Sequence, residues 1–194
     1  MFTPLRLPQW LISCAALGVF VASAQAATPS PAPEALKPLL ETLNERLNIG
    51  DLVALTKWDS GKPVQDSTRE AQVIFQVRAE ATYLRLDLED VSQFVTAQME
   101  ANKLVQYGLL AQWQAAGKAP DTPRPDLVKQ IRPRLNELQN RLLKQYIDFL
   151  PYRQDPHCVD WLTEARAHLT QDRLHELALI RATGELCTAD LPRA

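Results

Sequence analysis

Leu36, Leu39, Leu40, Leu43 and Leu47 recur every three or four residues, the spacing that lays side chains along one side of an α-helix. No stretch of any length alternates apolar and polar residues in the two-residue period of a strand, and the whole chain holds only six glycines. The pattern predicts an all-α protein. A first helix is expected from about Glu34 to Trp58, a second from Ser67 to about Leu84, and a third from its cap Asp87 to about Trp113. A fourth covers roughly Asp126 to Leu150, and a helical pair follows from about Pro156 to Cys187. Gln114 to Pro125, with Gly117, Pro120 and Pro123, is the longest loop, too short to separate domains. The expected architecture is a single-domain bundle of about six helices.

Residues 1–26 read as a signal peptide. Arg6 precedes an apolar run from Leu11 to Val21, too short for a membrane span, and Ala24-Gln25-Ala26 has the small-x-small form of a cleavage site, so cleavage is expected after Ala26. Leu11-Ile12-Ser13-Cys14 also resembles a lipoprotein box, with a very short apolar core before Cys14. The expected mature domain is 27–194, periplasmic or secreted. Losing the leader removes Arg6 and no acid, leaving 20 basic and 23 acidic residues and a net charge of −3. That balance gives no electrostatic footprint for nucleic acid or for a membrane surface. Cys14 leaves with the leader, and the remaining pair in an exported chain, Cys158 and Cys187, is expected to form a disulfide.

Polar residues stand where apolar ones are expected. Arg46 and Lys57 are eleven residues apart, which returns them to within about 20° on a helix. Gly50 and Val53 lie in line between them. The two cations either snorkel from the edge of a core-facing seam or line a site. In the third helix Val95, Gln98, Asn102, Gln106, Leu109 and Trp113 share a face. Its buried amides must bond another helix or face a cavity whose ligand supplies the partner. Asp66 suits a helix cap, and Ser67 with Glu70 suits a capping box, but Arg69 in a helix's first turn opposes the macrodipole unless an anion sits nearby. There is no Ser-His-Asp set, no metal-spaced cluster and no glycine-rich phosphate loop. His157, His168 and His175 all fall in the last helical segment. Cations and neutral amides without a nucleophile suit an anion that is held and polarised.

In their order and spacing, Glu45-Arg46-Leu47, Val53-Ala54 with Lys57-Trp58, Gln65-Asp66 with Arg69-Glu70, and Asn102 with Gln106 resemble the all-helical chorismate mutases. The leader, Trp58, the Asn102–Trp113 segment, the proline loop and the two late cysteines resemble that family's exported subclass. The resemblance spans nearly all of 27–194. It implies an isomerase that converts chorismate to prephenate by an intramolecular Claisen rearrangement, with no cofactor and no metal. It further implies that Arg46 and Arg69 grip substrate carboxylates and that Lys57 and Gln106 donate to the ether oxygen. Glu70 and the backbone around Asp66 would bind the ring hydroxyl, and Asn102 would lie near a carboxylate. Arg132 would complete the site from the later helix. Pro133 follows it and disfavours a helical residue before it, so that helix is expected to kink or start there, with Arg134 as the substitute. Val73 stands where related exported enzymes can carry a substrate-contacting glutamine. Relatives imply a homodimer. Two other readings fit a cationic helical site: a lyase releasing pyruvate from isochorismate, and an exported helical binding or effector protein without activity.

Overall fold

The computed structural model describes residues 30–170 and 172–188; the expected leader, its cleavage site and Cys14 lie outside them. Six α-helices and no strand occur among the described residues. They are α1 (Leu36–Ser60), α2 (Ser67–Leu84), α3 (Leu88–Ala116), α4 (Arg132–Phe149), α5 (Cys158–Arg166) and α6 (Arg173–Thr183).

Local chemistry sets the ends of these helices. Gly61 ends α1 in the left-handed region at φ 64°, returning its N–H to the Lys57 carbonyl. Asp66 caps α2, accepting the Arg69 N–H at 3.1 Å, while the Glu70 carboxylate reaches back to the Asp66 N–H at 3.3 Å. Asp87 caps α3 through the Glu89 and Asp90 N–H groups. The connection from α1 to α2 is therefore short and held at both ends, which keeps the Lys57 end of α1 beside the start of α2.

The regular part of the fourth helix starts at Arg132, as expected from Pro133, and not near Asp126. Leu127–Ile131 before it is a π-turn, capped by Asp126. Pro133 supplies the reason. It has no N–H and its ring would press on the carbonyl four residues earlier in a regular helix. In the widened turn the Ile131 and Arg132 N–H groups bond five residues back, to Asp126 and Leu127. Arg132 thereby keeps helical angles, φ −61° and ψ −43°, directly before a proline.

α1 and α3 form the central pair; α2 packs on α3, α4 on α1, and α6 against both. Leu36, Leu39, Leu40, Leu43 and Leu47 are all buried with Phe94, Val95, Ala101 and Val105 of α3. Each such side chain contributes about 1.5–3 kcal/mol when fully buried. Phe94 stacks on Tyr146 of α4 at 4.4 Å, and Trp58 meets Trp113 edge-on at 6.1 Å, tying the end of α1 to α3. Cys158 at the start of α5 is disulfide-bonded to Cys187 beyond α6, as expected. Arg153 reinforces this corner, donating to the Leu186 and Glu185 carbonyls and to Asp90.

The bridge closes a separation of 29 residues, for which chain entropy gives about 3–4 kcal/mol. Urea unfolding of Cys158→Ser/Cys187→Ser should show stability lowered by about that amount, with the helical signal of the folded state retained. A loss below about 1 kcal/mol would mean the packing of α5 and α6 needs no covalent support.

Candidate active site

A cavity of about 440 Å³ opens between α1, α2, α3, the π-turn and α4. Arg46 and Lys57 reach it from α1, Asp66, Arg69 and Glu70 from the start of α2, Asn102 and Gln106 from α3, and Arg132 from α4. All eight residues singled out in the sequence therefore meet at one place. Arg134 does not line it. Its guanidinium pairs with Glu45 and Glu137 on the outer side of the bundle.

The cations differ in how they are held. Arg46 is 8% exposed, donates from Nη1 to the Leu135 carbonyl at 3.3 Å, and leaves Nε without a partner. Burial pushes its pKa down to about 10, so it is charged at neutral pH. Arg69 donates to Asn136 Oδ1 at 3.2 Å. Arg132 stands 3.9 Å from Asp66. Among the described residues neither Arg46, Lys57 nor Arg69 forms an ion pair, so three positive charges face the cavity uncompensated by direct contact. Desolvation lowers the Lys57 pKa below the usual lysine value; Asp66 opposes this, and Arg132 and Lys62 add to it. Across the lining, five cationic side chains oppose three acidic ones, an excess of two positive charges.

The amides are fixed by a chain of hydrogen bonds. Asn102 Nδ2 donates to the Arg46 carbonyl of α1 at 3.1 Å, and Asn102 Oδ1 accepts from Gln106 Nε2 at 2.8 Å. The backbone carbonyl can only accept, so it dictates the orientation of Asn102. Asn102 then dictates that of Gln106. Both sequence alternatives thus hold at once for Asn102, which bonds across to α1 and lines the cavity, while Gln106 lines it bonded only within α3. Gly50 makes the approach feasible, because a Cβ there would come 3.0 Å from Asn102 Nδ2. A glycine that costs α1 about 1 kcal/mol in helix propensity is what lets α3 reach the α1 backbone.

Sequence reasoning missed Lys103 and Gln139. Lys103 joins Glu70 at 3.1 Å and Glu100 at 2.7 Å, and so fixes one Glu70 oxygen. It lies off the helix face that marks its neighbour Asn102. Gln139 interrupts the stripe Leu135, Leu142, Tyr146 on α4, the same signal that marks Asn102 and Gln106. Val73 lines the cavity with an apolar surface, and Gln76 lines it one turn later. Of the histidines, His175 lies between Asp51 and Asp172 and His157 beside Asp155, all away from the cavity. No group of three metal-ligating side chains occurs among the described residues.

Comparison with known proteins bears on what such a site belongs to. The family model "Chorismate mutase type II" matches residues 37–107, the stretch that carries seven of the eight predicted side chains. The crystal structure of chorismate mutase from Burkholderia phymatum superposes with a TM-score of 0.76 at 40% identity, covering 79% of this chain and 96% of that one. The chain belongs to the chorismate mutase family. A second crystal structure, the chorismate mutase of Burkholderia thailandensis, gives a TM-score of 0.76 at 32% identity over 80% of this chain and all of that one. The secreted chorismate mutase of Mycobacterium tuberculosis is 28% identical over 82% of this chain and 81% of its own length. No helix among the described residues is long and apolar enough to cross a membrane.

Asn102→Ala deletes a buried link between α1 and α3 and the shorter of the two bonds from Gln106 Nε2, leaving that amide only the backbone carbonyl of residue 102. The expected loss is about 1–3 kcal/mol, read from urea unfolding. An unchanged stability would show that the Arg46 carbonyl and Gln106 do not depend on Asn102.

Proposed function

We propose that the protein is a chorismate mutase that rearranges chorismate to prephenate. The observation that carries this is the convergence of Arg46, Lys57, Arg69 and Arg132 on one cavity with an excess of two positive charges and no Ser, Thr, Cys or His in its lining. The substrate is a dianion, and the reaction breaks an ether C–O bond while forming a C–C bond within the same molecule. No group need attack and no proton need move. What a protein can contribute is the compact conformer and stabilisation of the negative charge that grows on the ether oxygen.

The roles follow from these requirements. Arg46 and Arg69 hold carboxylates, for which the planar guanidinium offers paired donors, and Arg132 completes the grip from α4. Lys57 donates to the ether oxygen from one side and Gln106 from the other. Gln106 Nε2 donates to Asn102 at Oδ1 (2.8 Å) and, over a longer distance, at the backbone carbonyl (3.3 Å), and the hydrogen of the longer bond is the one that turns to the substrate. Asn102 thereby also acts by aiming Gln106. Glu70, held by Lys103 and by the Asp66 N–H, accepts the ring hydroxyl together with the backbone near Asp66. Export of the mature chain is supported by the secreted relatives. The homodimer rests on the resemblance alone, and sedimentation of the purified protein at micromolar concentration tests it.

Incubation with chorismate and, separately, with isochorismate decides between the readings. Prephenate from chorismate is expected. Pyruvate with salicylate from isochorismate would instead indicate a lyase, and no turnover of either would indicate a binding protein. Lys57→Ala should lower kcat by about a hundredfold or more; a variant with full rate would sink the mechanism.

Two pH profiles follow. Lys57 acts as its ammonium form, and burial lowers its pKa, so kcat/KM should fall as pH rises toward that lowered value, earlier than an exposed lysine would allow. On the acid side Gln106 donates at every pH. A Gln106→Glu variant must be protonated to donate and should favour acid, with its rate falling by pH 8; a rate unchanged up to pH 8 would remove Gln106 from the ether oxygen.

A further inference from the structure

Gln139 lies on α4 between the buried Leu138 and Leu142 and is itself 8% exposed. Neither its Nε2 nor its Oε1 makes a hydrogen bond within the protein. A buried amide with both polar atoms unpaired lowers stability, and a leucine in the same register would carry no such cost. Yet Gln139 borders the cavity. One turn earlier on α4, the Leu135 carbonyl accepts the bond from Arg46 Nη1, and Arg46 Nε is likewise buried and unpaired. Residues one turn apart are neighbours on a helix surface, so an orphaned guanidinium N–H and an orphaned carboxamide stand at the same end of the cavity.

We propose that Gln139 is a further substrate-binding residue, whose Nε2 donates to the same substrate carboxylate that Arg46 grips; this rests on the chorismate mutase reading. A carboxylate has about four lone-pair sites, enough to accept from Arg46 and Gln139 together. A neutral donor suits this place, because a further cation would add to the repulsion among those already present. The carboxylate takes no part in bond breaking. Its hydrogen bond is therefore made equally in ground and transition states, and such uniform binding acts on KM and leaves kcat alone.

Steady-state kinetics with chorismate and thermal melts of the disulfide-intact protein test this in two variants. Gln139→Leu keeps the volume and removes the amide. It should melt at or above the wild-type midpoint while KM rises about tenfold and kcat stays within about twofold. Gln139→Glu sets an anion beside the substrate carboxylate and should raise KM by about a hundredfold. A leucine variant with wild-type KM overturns the assignment, as does a glutamate variant with wild-type KM. A leucine variant with a lowered midpoint also overturns it, since the protein would then be using the amide for itself. Wild-type turnover is measured alongside: its absence would remove the underlying reaction, whereas normal wild-type turnover with an indifferent Gln139 removes this assignment alone.

Discussion

Arg46, Lys57, Arg69 and Arg132 repel one another across a single cavity, and the fold holds the first three there without a carboxylate in contact. Like charges brought together and partly stripped of water oppose folding, so the arrangement persists only because other regions of the molecule fix it. The burial of Leu36, Leu39, Leu40, Leu43 and Leu47 against α3 sets α1 in place. The Trp58–Trp113 contact and the left-handed turn at Gly61 hold its far end beside the start of α2. The π-turn does the same for Arg132, letting a helix begin ahead of Pro133 with that arginine still on the cavity side. Under the proposed function, a dianion entering this space would relieve the repulsion that the apolar core has absorbed.

The same trade of stability for readiness runs through the smaller features. Gly50 weakens α1 and admits Asn102 to its backbone. Gln106 Oε1, Arg46 Nε and both polar atoms of Gln139 are buried without partners in the protein. Each would be better satisfied in water, and none is needed to hold the helices together. Under the proposed function, such orphaned donors and acceptors would already be aimed when the substrate arrives, leaving little reorganisation for the moment of reaction. The disulfide and Arg153 strengthen a distant corner of the bundle, away from this frustrated region.

Much of this is readable in the chain. Leucine spacing gives α1, the acidic caps Asp66 and Asp87 give the starts of α2 and α3, and polar residues in apolar register point to Arg46, Lys57, Asn102 and Gln106. What cannot be read is three-dimensional. The resemblance points to Arg132, but Pro133, between the two arginines, keeps Arg134 in play as its substitute. Only the widened turn, and the pairing of Arg134 with Glu45 and Glu137, separates them. Lys103 is a surface lysine by pattern and becomes the partner of Glu70 only when α2 packs on α3. Gly50 is legible as a weak point in a helix, but its purpose lies in a residue 52 positions later.

The central claim is that the cavity is complementary to the charge and shape of the rearranging dianion at its transition state, and that nothing in it reacts. Calorimetric binding of a stable bicyclic ether dicarboxylate, locked in the geometry where both bonds are half-made, tests this most directly. The dicarboxylate should bind at least about a hundredfold more tightly than prephenate, with one site per chain. Binding no tighter than prephenate would contradict the claim.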